Sequence, residues 1–132
     1  MKRVVLDASA LMTFFEDRPG ADKVEDLISR AAERKCELLM SVVNWGEVYY
    51  SVWRANGADA AMKVLAEIAQ LPIEVLPADF EVTKLAAELR AQHKLPYADC
   101  FAAALAKLRK GAVATSDSDF ARVKESIPLI EV

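Results

Sequence analysis

Acidic residues in this sequence fall beside the ends of the segments that we predict to be strands. Asp7 directly follows a short apolar run and Asp117 comes just past another, and both runs are typical of buried parallel strands. Because ligands bind beyond the carboxyl ends of strands in open parallel sheets, these acids are candidates for one site. Glu47 lies early in the helix predicted after the second strand, and Asp99 lies in the first turn of the helix predicted before the fourth strand. Asp119 follows Asp117 by two residues and is a candidate fifth member of the cluster.

Each of these acids also has an ordinary structural explanation. Asp is favoured at helix N-caps, which would account for Asp7, and an acid in a first helical turn complements the helix dipole, which would account for Asp99. Asp117 would be a solvated turn residue, and Glu47 would be a polar residue on an exposed helical face. The sequence alone leaves both explanations open for each acid.

The surroundings of Glu47 favour a buried or cleft position for this acid. Trp45, Tyr49 and Trp53 are spaced by four residues, so they form one aromatic stripe along the predicted helix, with Glu47 on the opposite side. Apolar residues on both sides of a helix indicate that it packs on both sides. We expect the aromatic stripe to lie in the core, and a partner-binding surface is the alternative.

Four converging carboxylates would need a cation. Two like charges ~4 Å apart repel by about 4 kcal/mol at an effective dielectric of ~20, and a whole domain is stable by only about 5–15 kcal/mol. The acids must then share protons or bind a metal ion, and ligands that are all oxygen favour Mg²⁺ or Mn²⁺. The only histidine, His93, is expected at a helix end on the surface, so a zinc site lacks ligands. A Mg²⁺ ion held by carboxylates suits phosphoryl chemistry.

The predicted elements alternate between strands and helices. The predicted strands are residues 3–6, 37–42, 73–76, 112–115 and 129–130. The predicted helices are residues 8–16, 21–34, 44–55, 58–70, 79–93, 96–110 and a short turn at 120–123. This alternation predicts an α/β fold with three layers, in which helices cover both faces of a central parallel sheet. We find no repeat or linker, so we expect residues 1–132 to form a single domain.

The composition favours a protein of the cytoplasm. The 17 basic and 20 acidic residues give a formal net charge of −3, so bulk charge does not indicate nucleic acid, and RNA would require local basic residues and metal ions. Cys36 and Cys100 form no C-x-x-C pair, and we expect buried thiols. The longest apolar run, residues 100–106, is far shorter than a membrane span, so we expect no membrane insertion. Asp7 interrupts the only candidate signal peptide.

Four segments of the sequence resemble the acidic motifs of PIN domains. They are residues 4–11 (VVLDASAL), 44–48 (NWGEV), 95–106 (LPYADCFAAALA) and 114–120 (ATSDSDF). Each motif is weak alone, but the four occur in the family's order and spacing and span the whole chain. The sequence is therefore identified as similar to PIN domains, and in particular to VapC-type toxins.

This resemblance implies a Mg²⁺- or Mn²⁺-dependent endoribonuclease, the toxin of a VapBC-type pair. Such a toxin is usually a homodimer that a small VapB-like antitoxin inhibits by binding across its groove. The resemblance carries over Asp7, Glu47, Asp99 and Asp117 as metal-site acids, with Ser9 and Thr115 as supporting hydroxyls. Ser116 stands where the family commonly has Asn, which puts a role of that side chain in doubt. Candidate phosphate contacts, each also explicable as a surface charge, are Arg54, Lys107, Arg109, Lys110 and Arg122.

Two other functions remain open at this point. A phosphoacceptor response domain is also a small α/β domain with an acidic Mg²⁺ site, but it would have paired acids after the first strand, where this sequence has Asp7-Ala8-Ser9. A PIN fold kept only as a binding module would be expected to lose acids, and all four are present. Metal titration would separate these alternatives.

Overall fold

The computed structural model of the protein describes residues 1–132 and contains five strands and six α-helices. In chain order the elements are β1 (Lys2–Leu6), α1 (Ala8–Phe15), α2 (Ala21–Ala32), β2 (Cys36–Ser41), α3 (Val42–Asn56), α4 (Ala58–Gln70), β3 (Ile73–Leu76), α5 (Phe80–Gln92), α6 (Tyr97–Leu108), β4 (Ala112–Thr115), a 3₁₀ helix (Ser118–Val123) and β5 (Leu129–Glu131). The order alternates as the sequence predicts.

All five strands are parallel and form one sheet in the order β3-β2-β1-β4-β5. The chain first builds the sheet outward from β1 through β2 to β3, and then returns to add β4 and β5 on the other side of β1. The direction of winding therefore reverses between β1 and β4, which is where ligands bind in sheets of this kind.

Alternate residues of the strands pack into two separate cores, because successive side chains of a strand point to opposite faces. On one face Val5, Leu39 and Val113 are buried with residues of α5 and α6. On the other face Val4 and Leu6 are buried with residues of α1 to α4. These two cores confirm the predicted three-layer α/β/α fold with a central parallel sheet.

The helix α6 lies deepest in the molecule, and every residue from Asp99 to Ala106 is buried. The small side chains of its alanines let it lie close to the sheet, where it contacts β1, β2 and β4. The chain then reaches β4 through Gly111, where a Cβ atom would lie 2.5 Å from the carbonyl oxygen of Arg3. Only glycine allows so close an approach of the two backbones.

Most differences from the predicted elements arise at helix ends. The helix α3 begins at Val42 instead of residue 44, because the Ser41 hydroxyl accepts a hydrogen bond from the Val43 amide at 3.2 Å and caps the helix. Asp79 likewise caps α5 and stands outside it.

The aromatic stripe on α3 is less buried than expected. Trp45 and Tyr49 pack against the core and are partly buried, but Trp53 is 48% exposed. The prediction of a core position was therefore wrong for Trp53. Its neighbour Val52 is buried, so α3 is still packed at this level and Trp53 lies on its outward side. Cys36 and Cys100 are buried free thiols, as expected.

No helix combines the length and apolar character needed to cross a membrane.

Candidate metal centre

Asp7 lies at the carboxyl end of the central strand β1 and is 3% exposed. Its Oδ1 atom accepts hydrogen bonds from the Ala10 amide at 2.9 Å and from the Ser9 hydroxyl at 2.8 Å, and its Oδ2 atom accepts from the Thr115 hydroxyl at 2.5 Å. The bond from Ala10 caps α1, so the structural explanation of Asp7 also holds. Asp7 therefore anchors a helix and lies at the candidate site.

Hydroxyl groups join the ends of β1 and β4. The Ser9 and Thr115 hydroxyl oxygens are 3.2 Å apart, and the Ser9 hydroxyl accepts from the Ser116 amide at 3.0 Å. The Thr115 hydroxyl accepts from the Asp117 amide at 2.9 Å while it donates to Asp7. These contacts hold Asp117 beside Asp7, although 110 positions separate them in the sequence.

Asp117 and Asp119 start the 3₁₀ helix that follows β4. Asp117 Oδ1 accepts from the Asp119 amide at 2.9 Å, which caps this short helix, as the turn explanation predicts. Asp119 Oδ1 is paired with Arg122 at 2.6 Å. A carboxylate oxygen of each of Asp99, Asp117 and Asp119 lies within 4.8 Å of the other two. These three acids form the tightest group, and it does not include Asp7 and Glu47.

Glu47 is held by Asn44, a residue that the sequence did not single out. The Asn44 Nδ2 atom donates to Glu47 Oε1 at 2.8 Å and to the carbonyl oxygen of Ala98 at 3.1 Å. Asn44 is fully buried, and its Oδ1 atom has no hydrogen-bond partner. Since both neighbours of Nδ2 are acceptors, they fix the orientation of the amide. The available signal was spacing, because Asn44 precedes Glu47 by three residues and so shares its helical face.

Asp99 is a buried acid with a carboxylate oxygen that accepts no hydrogen bond. It is 8% exposed, in the first turn of α6, and its buried Oδ2 atom has no hydrogen-bond partner. A buried carboxylate oxygen without a donor costs free energy unless it is protonated or binds a cation. The group of possible metal ligands that includes Asp99 consists of carboxylates, with no cysteine or histidine, so the donor set fits a hard divalent cation.

The pKa values of three acids rise from their ordinary range. Burial raises the pKa of Asp7 from 3.8 to about 6, against the lowering effect of its hydrogen bonds from Thr115, Ala10 and Ser9. Burial, followed by the charge of Asp117, raises the pKa of Asp99 still further, and Asp7 and Glu47 add to the rise. Burial also raises the pKa of Glu47, with the charge of Asp117 in the same direction and the Asn44 hydrogen bond opposing it.

These electrostatic effects show which predicted residues the fold brings together. Asp99 is within range of the charges of Asp7, Glu47 and Asp117, so residues from four distant segments meet at one edge of the sheet. The four acids and Asp119 lie in one region. The supporting hydroxyls of Ser9 and Thr115 lie between the carboxyl ends of β1 and β4, where Asp7 and Asp117 are placed.

Two of the candidate basic contacts lie away from the acids. Lys107 and Lys110 line a depression beside the amino end of β4, at the opposite edge of the sheet from the acids. Both are exposed and precede β4 in the chain, so the alternative explanation, an ordinary surface charge, fits these two lysines. Arg122 is close to the acids, but it is paired with Asp119.

The fold and the acidic site define an α/β domain with a candidate metal centre at the carboxyl edge of its sheet. The family model of the PIN domain matches residues 4–126. The chain belongs to the PIN domain family. No curated protein sequence matches it.

Several solved structures share this fold over nearly the whole chain. VapBC2 from Rickettsia felis, bound to a DNA fragment from its promoter, is 15% identical with a TM-score of 0.76 and covers 98% of each chain. DNA-bound VapBC from Salmonella typhimurium is 19% identical with a TM-score of 0.75, over 99% of this chain and 98% of that chain. VapC20 from Mycobacterium tuberculosis, a toxin that cleaves the sarcin–ricin loop, is 13% identical with a TM-score of 0.70, over 94% and 95%. At these identities the likeness establishes the fold.

Asn44 provides a test of how the site is built. We expect Asn44→Ala to lower the free energy of unfolding by about 2–3 kcal/mol, because it removes the hydrogen bond that joins α3 to Ala98 of α6 and the bond to Glu47 within α3. Asn56→Ala is the matched control, since Asn56 is exposed at the end of the same helix, and it should change stability by less than about 0.5 kcal/mol. Urea denaturation measures both. Equal stability of the two variants would contradict the structural role of Asn44.

The raised pKa values predict how stability changes with pH when no divalent cation is present. An acid whose folded pKa exceeds its unfolded value binds its proton more tightly in the folded state, so the folded state gains stability as the pH falls through that interval. In chelator, the Tm should therefore fall as the pH rises from about 5 to about 8. Asp99→Asn should flatten this slope, because Asn does not ionise. Asp59→Asn, on exposed α4, should leave it unchanged. A Tm of the unaltered protein that stays constant or rises over this range would refute the charge cluster.

Proposed function

We propose that this protein is a metal-dependent endoribonuclease of the VapC type, the toxin of a toxin–antitoxin pair. The observation that carries the proposal is the buried, unpartnered Oδ2 atom of Asp99, surrounded by other acids in a PIN-family fold. A cluster of this kind is costly unless its carboxyl groups take up protons or bind a cation, and a cation held by carboxylates suits phosphodiester hydrolysis.

The metal would be Mg²⁺ or Mn²⁺, held by Asp7, Glu47, Asp99 and Asp117. When bound, it supplies charge neutralisation at the phosphate and a water of lowered pKa. Asp119 is a candidate further ligand, because its carboxylate belongs to the tightest group of acids, and it would have to share that role with its Arg122 pair.

The chain's own residues orient the acids. Ser9 and Thr115 occupy both oxygens of Asp7 with hydroxyl donors, and Asn44 fixes one oxygen of Glu47, so these carboxylates keep their orientation when RNA binds. Because folding raises the pKa of Asp7, Glu47 and Asp99, cation binding must release protons, and the affinity for the metal rises with pH.

The partners proposed here are an RNA substrate, a VapB-like antitoxin and a second copy of the chain, acting in the cytoplasm. The support is that similar folds include the VapBC complexes from Rickettsia felis and Salmonella typhimurium and the RNA-cleaving toxin VapC20. Membership of the PIN family excludes the phosphoacceptor response domain. A catalytically silent PIN module remains the second candidate, and the experiments below separate it from the nuclease.

RNA cleavage should depend on Mg²⁺ and on Asp7. Asp7→Asn is nearly isosteric and keeps the N-cap acceptor, but it removes a charged ligand, so we expect cleavage of single-stranded RNA to fall by more than about 100-fold. Mg²⁺ should raise the Tm of the unaltered protein and not that of the variant, whereas in chelator near neutral pH the variant should be at least as stable. Gel assays measure RNA cleavage and thermal unfolding measures the Tm. Asp59→Asn is the control, and it should retain both the cleavage and the rise in Tm with Mg²⁺. Persistent cleavage by Asp7→Asn, or a Tm of the unaltered protein that ignores Mg²⁺, would refute the mechanism.

Expression in bacteria tests the toxin function. Induction of the unaltered protein without an antitoxin should slow growth, because RNA is cleaved, and Asp7→Asn at equal soluble level should not. Growth curves with immunoblots of the soluble fraction measure this. Normal growth at high soluble expression of the unaltered protein would contradict the toxin assignment.

A further inference from the structure

A pocket opens directly beside the acids, between the 3₁₀ helix and the carboxyl edge of β4 and β5. Its volume is about 350 Å³, and its walls include Thr115 and Asp117 of the acidic site. This volume is at the lower end of the range of about 300–1,000 Å³ for sites that bind small molecules, so it can admit one nucleotide of a larger chain. The partly buried Leu129 contributes an apolar surface to the same pocket.

Three polar side chains around this pocket are free of partners within the protein. Lys124, Glu131 and Ser118 are exposed residues that line the pocket, and their side chains form no ion pair or side-chain hydrogen bond. The neighbouring charges behave differently, since Arg122 and Asp119 neutralise each other. A free cation, a free anion and an apolar surface thus face one pocket.

A nucleotide of RNA offers the groups that match this combination. A base has flat apolar faces that pack on side chains, the backbone phosphate is an anion for Lys124, and the edge of the base carries hydrogen-bonding groups. A carboxylate can accept two hydrogen bonds at once. Guanine presents two adjacent donors, N1–H and N2–H, whereas uracil presents carbonyl oxygens beside its one donor, and adenine and cytosine place an acceptor nitrogen beside their amino group.

We propose that this pocket binds a guanine nucleotide next to the scissile bond, with Glu131 reading the base and Lys124 contacting the phosphate. The inference rests on the proposed ribonuclease function and adds the determinant of its sequence preference. Glu131 is the specificity-determining residue, since its carboxylate discriminates among bases. Lys124 strengthens binding of every sequence equally, because a phosphate contact carries no sequence information.

The test compares guanine with inosine, which lacks only the N2 amino group. Sequencing the ends of cleaved random RNA should show guanine enriched at one fixed position beside the cut. In short oligonucleotides, inosine at that position should lower kcat/KM of the unaltered protein by about fivefold, as expected for one lost hydrogen bond. Glu131→Gln should cleave both oligonucleotides equally well. Glu74→Gln, an exposed glutamate without an ion pair on β3 at the far edge of the sheet, should discriminate like the unaltered protein.

Lys124 requires a different readout. Lys124→Met should weaken binding of guanine and inosine oligonucleotides by the same factor and reduce the salt dependence of binding by about one phosphate contact. Lys63→Met, on the exposed side of α4, is the matched control and should change neither.

Binding in chelator separates this inference from the proposed nuclease function. Without a divalent cation no cleavage is expected, and fluorescence anisotropy should still show that the unaltered protein prefers the guanine oligonucleotide and that Glu131→Gln does not. This result would support the pocket assignment even for a protein that fails to cleave RNA. Cleavage without guanine enrichment, or equal guanine preference in the unaltered protein and Glu131→Gln, would overturn the inference and leave the nuclease function intact.

Discussion

The hydrogen bond from the Thr115 hydroxyl to Asp7 joins the ends of the two central strands at the point where the winding of the sheet reverses. The segments that follow β1 and β4 pack on opposite faces of the sheet, and the hydroxyls of Ser9 and Thr115 form a short network between the two strand ends. The Thr115 hydroxyl also accepts from the backbone of Asp117, so one side chain sets the position of both acids. The placement of Asp99 depends on the same strands, since α6 packs against both β1 and β4.

Glu47 and Asp99 lie on helices that pack against the core, where burial disfavours a charged side chain. Asp99 is in the first turn of α6, where the helix dipole stabilises a negative charge, but that helix is also the most buried in the molecule. Asn44 gives Glu47 a buried donor and ties α3 to the backbone of α6. The protein thus places two acids on helices that the core holds firmly.

Much of this arrangement could be predicted from the sequence, because its causes are local. Short apolar runs predicted the strands. Asp7 and Asp117 follow two of these runs, and the carboxyl ends of parallel strands meet at one edge of the sheet. The partners of those acids could not be predicted, since Asn44 acts through the carbonyl of Ala98, 54 positions away. Two expectations have separate explanations. Trp53 is exposed although its neighbour Val52 is buried, so it lies on the side of α3 that faces away from the core. Lys107 and Lys110 precede β4 in the chain, which places them at the amino end of that strand and away from the acids.

The acids at the sheet edge come from positions spread over most of the chain, and the order of synthesis gives this spread a consequence. A nascent chain that has emerged as far as α6 holds Asp7, Glu47 and Asp99 but lacks β4, and therefore lacks both the strand that Thr115 ends and the acid that follows it. The edge is complete only when β4 has inserted beside β1 and Asp117 has followed it. Fragments that end before β4 therefore carry three of the acids without the site.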